Sequence, residues 1–178
     1  MADFFTSDWH LGNPAIIGYT SRPFKSEESM RNSLIRTCNQ RAKACDTVYH
    51  IGDFCSYGDD KGVPGLKKPV EFYEDPINAK VIHVLGNHDP NNGVKSGVWL
   101  AIVNFGGLNV ALSHKPIYDS CFLPMNIDLV LCGHVHQAWS EKIESGLPHI
   151  NVGVDVRKYT PMSKNDVLKV LNTSKVFK

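Results

Sequence analysis

The chain carries no strong charge of either sign: 19 lysines and arginines stand against 18 aspartates and glutamates, a net charge of +1 at pH 7 over 178 residues. That balance excludes the broad basic field of a sequence-independent nucleic-acid binder, so any such substrate must be held locally. No apolar run approaches the ~20 residues needed to cross a bilayer. The first residues, Met1 to Phe5, lead at once into an apolar run and leave no room for a signal peptide. Cysteine is scarce and unpaired in pattern: the five residues 38, 45, 55, 121 and 132 form no CxxC motif, and their number is odd. A disulfide framework or a thiolate metal site is therefore not expected, and reduced thiols in a cytoplasm are. Internal repeats, low-complexity tracts and linkers are also missing. The length suits one domain spanning residues 1–178, large enough to bury a core without staples.

What is present is a series of short apolar runs, each stopped by a polar turn. Residues 2–6, 47–51, 80–85 and 127–132 read as buried strands. Residues 98–105 and 108–112, split by Gly106 and Gly107, read as an antiparallel hairpin, as do 139–143 and 150–156. Met30, Leu34, Ile35, Cys38 and Ala42 recur at helical spacing after Ser26, Glu27 and Glu28, which predicts an amphipathic helix over 27–44 with Ser26 as its N-cap. Its Arg31, Arg36, Arg41 and Lys43 read as a solvated face. A short helix is expected near 67–74, and Ser163 caps a helix running to Leu171. Residues 11–24, 56–69 and 91–97 read as loops. The pattern is that of a mixed α/β fold.

The turns that end the strands share one feature. They carry Asp8 and His10, then Asp53, then Asn87 and His88, then His114, then His134 and His136. Open α/β sheets place their sites at such C-terminal strand ends. Five of the eight histidines fall in these turns, while His50, His83 and His149 lie inside strands and read as packed imidazoles. Any single turn is more simply structural, but five of them without a thiolate set point to one polar cluster, a metal site. Its nitrogen and oxygen donors suit manganese, iron, zinc, cobalt or nickel. Asp8-x-His10 and His134-x-His136 each read as a two-residue claw, because alternate residues of an extended segment face one way. A metal pair would need a bridging carboxylate, for which Asp53 is the candidate. Two divalent ions bring four positive charges, against two negative charges from Asp8 and Asp53. The remainder attracts hydroxide and an anionic substrate such as a phosphate ester.

Taken in order, Asp8-x-His10, Gly52-Asp53, Gly86-Asn87-His88-Asp89, His114 and Gly133-His134-x-His136 resemble the signature of the calcineurin-like metallophosphoesterases, with every signature position filled across residues 8–136. Arg22-Pro23-Phe24 and Asn151 to Val156 are similar to a small bacterial and phage branch of that family. The resemblance implies a four-layer α/β/β/α sandwich of two mixed sheets. It implies two divalent transition-metal ions, manganese foremost, with Asp8, His10 and His136 on one, Asn87, His114 and His134 on the other, and Asp53 bridging. A hydroxide formed at the metals would attack phosphorus in line. His88 would protonate the leaving oxygen, with Asp89 orienting it, although an ordinary turn aspartate is an equal reading of Asp89. Asn13 departs from the family, whose members often place histidine there near the leaving group, so Asn13 becomes a substrate contact to test. Arg22 is a candidate phosphate clamp. Tyr19, Tyr57 and Trp9 are candidate base-stacking residues, with core or rim packing as the competing reading. Cys55 and Cys132, next to proposed ligands, read as inert buried thiols.

The expected substrate is a small phosphodiester or nucleotide rather than a monoester, since no stretch reads as a cap domain. No membrane partner and no extended nucleic-acid surface are expected. A catalytically silent interaction scaffold on the same fold is the rival from another class, and retention of His88 counts against it. An amide or lactone hydrolase shares the metal logic but not this ordered set of turns.

Overall fold

A computed structural model describes residues 1–56, 68–119, 123–124 and 126–178. Tyr57, Cys121 and most of the expected loop 56–69 lie outside these residues. In chain order the strands are β1 (Asp3–Thr6), β2 (Thr47–Ile51), β3 (Lys80–Val84), β4 (Ala101–Phe105), β5 (Leu108–Leu112), β6 (Leu129–Cys132), β7 (Glu141–Glu144), β8 (Leu147–Asn151) and β9 (Met162–Ser163). The α-helices are α1 (Ala15–Tyr19), α2 (Glu27–Arg41), α3 (Val70–Glu74) and α4 (Lys164–Thr173). The strands form two mixed sheets, ordered β3-β2-β1-β9 and β4-β5-β6-β8-β7. In the first, β1, β2 and β3 run parallel and β9 is antiparallel to β1. In the second, β5, β6 and β8 run parallel between the antiparallel edges β4 and β7.

Alternation along the strands decides which sheet face meets what. Phe4 and Val48 point to one side and pack with Met30, Leu34 and Cys38 of α2. Phe5, Ile51 and Val84 point to the other and pack between the sheets against Val110, Leu112, Leu129, Leu131 and Ile150. Phe5 stacks on Tyr49 and on Phe105, which joins the two sheets through aromatic rings. Val130 and Cys132 face the far side of the second sheet, under Ile117, Leu123, Ile127, Trp139 and Leu147. The two mixed sheets of the expected sandwich therefore pack face to face, with α2 outside the first. The second outer layer is thin, built among the described residues from irregular segments, while α4 contributes Val167, Leu168, Val170 and Leu171 to the inter-sheet core.

Local chemistry explains where the elements begin and end. Ser26 caps α2 reciprocally with Ser29, each hydroxyl accepting the other's N–H at 3.1 Å. The helix stops at Arg41, short of the expected 44, because Ala42 turns to extended backbone on its way to β2. Asp46 then gathers the N–H groups of Lys43 and Ala2. Ser163 and Asp166 form a second capping box at the start of α4. Two hairpins differ from expectation. Val98 leaves the first one to bridge Val84 of β3, so β4 begins only at Ala101. In the second, Ser145 and Gly146 both take positive φ and make a two-residue turn, so β8 begins at Leu147 and contains Pro148. Pro148 sits in a non-hydrogen-bonded pair with Ile143, before the pairing with β6 starts at His149, so its missing N–H is not needed there. The short α1 and β9 carry too little periodicity to be read from sequence.

Candidate metal centre

All five polar turns leave C-terminal strand ends along the seam between the sheets: residues 7–10 after β1, 52–54 after β2, 85–89 after β3, 113–115 after β5 and 133–136 after β6. Asp8, His10 and His136 bring one donor atom each within 4.8 Å of one another, and so do Asp53, His114 and His134. The clusters adjoin, with His10 Nε2 3.6 Å and His114 Nε2 3.2 Å from the same Asp53 Oδ2.

The backbone does this in a way the claw argument did not foresee. Asp8, His10, Asp53, His134 and His136 all have positive φ, between 45° and 70°. Extended geometry therefore does not apply, and each such residue costs of order 1–3 kcal/mol that the surrounding structure must offset. Asp8 and His10 still share a cluster. His134 and His136 do not, and fall one to each cluster. Hydrogen bonds pin the strained segments: Asp8 N–H donates to Gly52 O at 3.0 Å, His10 N–H to Asp53 O at 2.9 Å, and His134 N–H to both Asp8 carboxylate oxygens at 3.0 and 3.1 Å.

The histidines are oriented by their second nitrogens. His114 Nδ1 lies 3.0 Å from Ile51 O and His136 Nδ1 lies 2.7 Å from Asp155 Oδ2, which turns each Nε2 toward its cluster. Electrostatics follow the packing. Burial raises the Asp8 carboxyl above its ordinary range. Burial lowers His10 to about 3, keeping it a neutral donor. For His114 burial acts downward but is outweighed by Asp53 and Asp8, which lift it to about 9. Asp53 is held low because His114 and His10 outweigh the upward push of its burial.

Several expected roles change. Arg22 is not a phosphate clamp: its side chain is fully buried, paired with Asp155 at 2.8 and 3.0 Å, and its remaining donors reach Trp9 O at 2.9 Å and Asp8 O at 2.7 Å. Asp89 serves as a turn aspartate, the alternative reading of it. Its buried carboxylate accepts the N–H groups of Asp53, Phe54 and Gly86 at 2.7–2.9 Å, locking two turns together. Trp9 is core, 1 % exposed, packed on His50 and Phe54. Asn13 bends its Oδ1 back to the Ala15 N–H at 3.0 Å, an Asx turn leading into α1. Asn87 is exposed and shares with His114 the wall of a cavity beside the second cluster. His88 is half-buried, its N–H on Asp53 Oδ1 at 3.1 Å and its ring 5.8 Å from that of His10. Tyr19 stands exposed on α1. Cys55 and Cys132 are buried, and burial pushes their thiols up, Cys55 to about 12. His50 and His149 are buried and held low by that burial, as packed imidazoles should be. The residue that reading by motif did not assign is Asp155. The segment Asn151 to Val156 signalled it, but nothing local in sequence ties it to Arg22 or His136.

The donors fit divalent cations. His10 Nε2 is buried without a hydrogen-bond partner, a costly arrangement unless something else satisfies it. Nitrogen and carboxylate oxygen donors with no thiolate suit a transition metal of borderline hardness.

Residues 3–168 match the family model of the calcineurin-like phosphoesterase superfamily domain. The chain is 30% identical over 177 residues to the uncharacterized protein MJ1445 of Methanocaldococcus jannaschii, covering 97% of this chain and 93% of that one. The protein of unknown function AQ665 from Aquifex aeolicus superposes with a TM-score of 0.71 at 24% identity, covering 95% of this chain and 98% of that one. Yfce, a phosphoesterase from E. coli, superposes with a TM-score of 0.52 at 19% identity, covering 85% and 78%. At these identities the two structures speak for the fold.

Proposed function

The chain belongs to the calcineurin-like phosphoesterase superfamily, and from that premise we propose that it hydrolyses a phosphodiester, either a nucleotide or another small diester, with two divalent transition-metal ions as cofactors. One observation carries the reading: two three-donor clusters lie side by side, and Asp53 belongs to one while lying 3.6 Å from His10 of the other. Asp8, His10 and His136 would hold the first ion, Asn87, His114 and His134 the second, and Asp53 both. When bound, such a pair polarises phosphoryl oxygens and brings the pKa of water toward about 7. The donor set suits manganese, with iron, zinc, nickel or cobalt as alternatives.

The chain's own residues supply the rest. His88 lies outside both clusters and can give a proton to the departing oxygen. With two carboxylates against two dications, the site stays positive and draws a phosphate monoanion. The buried commitment of Arg22 to Asp155 leaves that guanidinium unable to meet the second charge of a monoester, which favours a diester. No described helix is long and apolar enough to cross a membrane. Cytoplasm is the proposed compartment, in keeping with the free thiols of Cys38, Cys45, Cys55 and Cys132.

The test is metal analysis followed by turnover of bis-p-nitrophenyl phosphate and p-nitrophenyl phosphate with Mn²⁺. Two equivalents of metal per chain and a higher kcat/KM on the diester are expected. Turnover of the monoester alone would overturn the diester preference. Full metal loading with no turnover on a broad panel would point instead to an interaction scaffold.

A further inference from the structure

A cavity of 410 Å³ opens beside the second cluster, lined by Leu85, Asn87, Trp99, Ser113, His114 and Lys115. Its volume falls in the range of small-molecule sites, about 300–1,000 Å³. His114 ties it to the cluster, and Asn87 is the ligand proposed for the same ion. Trp99, Ser113 and Lys115 have no part in holding metal, yet each is placed with care.

Trp99 is 62% exposed, and among the described residues no ring packs against it. Its backbone is nevertheless fastened. Val98 N–H donates to His83 O at 3.2 Å, Leu85 N–H donates to Val98 O at 2.8 Å, and Val98 bridges Val84 in parallel. This approach needs glycine at 97, where a Cβ would stand 2.8 Å from Leu85 Cδ2 and 2.9 Å from His83 O. The indole is thus held at the end of the first sheet, one residue past a pinned segment. Ser113 Oγ donates to Lys115 O at 2.9 Å and closes the 113–115 turn. Lys115 is exposed and has no carboxylate partner among the described residues.

The cavity lining therefore combines an indole, an apolar side chain at Leu85 and the cation of Lys115 with His114 of the second cluster. We propose that it is the subsite for the group esterified to the phosphate, that this group carries a nucleobase stacked on Trp99, and that Lys115 pairs with an anionic phosphate oxygen. Trp99 and Lys115 are then specificity-determining residues. The inference rests on the phosphoesterase reading of the same site and narrows its substrate to nucleotide-bearing esters. Aromatic faces accept any base, so the preference is for a planar ring and not for a sequence.

Two esters with one leaving group separate the inference from the reading beneath it. The kcat/KM of thymidine 5′-(p-nitrophenyl phosphate) is compared with that of methyl p-nitrophenyl phosphate in wild-type, Trp99→Ala and Trp99→Phe proteins loaded with Mn²⁺. A clear wild-type preference for the thymidine ester is expected, falling about tenfold in Trp99→Ala and largely kept in Trp99→Phe. Calorimetric binding of AMP should weaken about tenfold in Trp99→Ala, whatever the turnover. A ratio unchanged by Trp99→Ala, or equal AMP affinity, overturns the subsite while leaving the phosphoesterase reading intact. A changed sedimentation coefficient with the ratio intact also overturns it, and assigns the ring to a contact between copies. If neither ester turns over in fully loaded wild type, the phosphoesterase reading fails, and the AMP measurement still decides the subsite.

Discussion

Arg22 and Asp155 are 133 residues apart in the chain and share two hydrogen bonds with no exposed side-chain surface. The pair shows how one residue serves both fold and site. Asp155 holds His136 Nδ1 with one oxygen while Arg22 spans from Asp155 to the carbonyls of Asp8 and Trp9. Removing one partner of a buried pair leaves an uncompensated charge, at about 3–5 kcal/mol. Losing the carboxylate behind a metal-bound imidazole typically costs 10–100-fold in metal affinity. Asp155→Asn should therefore lower both folding stability and the metal content of the first cluster. Denaturant titration and metal analysis check this, and normal occupancy would show that Asp155 does not support His136. The sign of the pH effect follows from the depressed Asp155 carboxyl, which burial opposes but His136 and Arg22 outweigh. Its stabilisation is present above the ordinary carboxylate range and is lost as pH falls through the lower folded value. His88 makes the complementary prediction. Its side chain is not among the donors of either cluster, so His88→Asn should keep both metals while kcat falls by about 10²–10⁴. Unchanged turnover would remove it from the chemistry.

Among the elements, the turns matter more than the strands they follow. Apolar runs ending in Asp, Asn and His were legible, since burial of both strand faces and polar termini leave a direct trace in sequence. The left-handed conformations at Asp8, His10, Asp53, His134 and His136 left none, because they are imposed by hydrogen bonds from distant turns. The claw geometry therefore does not describe His134 and His136, which fall in different clusters, the division the family resemblance implied. Gly86 shows how close these turns lie: a Cβ there would stand 2.3 Å from Asp53 Oδ1 and 2.5 Å from its N. Gly86→Ala should displace the carboxylate proposed to bridge, reducing metal content at both clusters, with about 1–3 kcal/mol of overpacking strain. Circular dichroism would show the fold retained. Full occupancy in that variant would mean the turns can separate without cost.

Across the whole molecule the candidate centre is the seam of the sandwich. Asp8 and Asp53 follow strands of the first sheet, and His114, His134 and His136 follow strands of the second. The contacts His114 to Asp53 and His134 N–H to Asp8 thus join the two sheets. Cations bound there should tighten the fold by mass action, by about 2.7 kcal/mol at one hundred times Kd, or roughly 5–10 °C in Tm. Thermal scans with Mn²⁺ and after chelation check this, and coincident curves would show that the native fold binds no Mn²⁺ at the concentration used. His114, lifted to about 9, holds a proton at neutral pH in the cation-free chain. That pair stabilises the cation-free fold fully below about 6.5 and loses its contribution as pH rises through about 9. A cation must displace the proton, so binding should strengthen toward pH 9 and release at least one proton at pH 7, with a further share from His136, where burial acts downward but is outweighed by Asp155 and Asp8. Titration in two buffers of different ionisation heat measures that number.

The amino-acid sequence by itself determined the strand ends and the polar residues they carry, because local burial patterns and turn chemistry need no distant partner. Only the tertiary structure decided how closely the donors converge, that Arg22 and Asp89 brace the site, and that Trp99 lines a cavity beside the second cluster. Those outcomes depend on contacts between segments far apart in the chain, and no local pattern encodes the distance between two strand ends on different sheets.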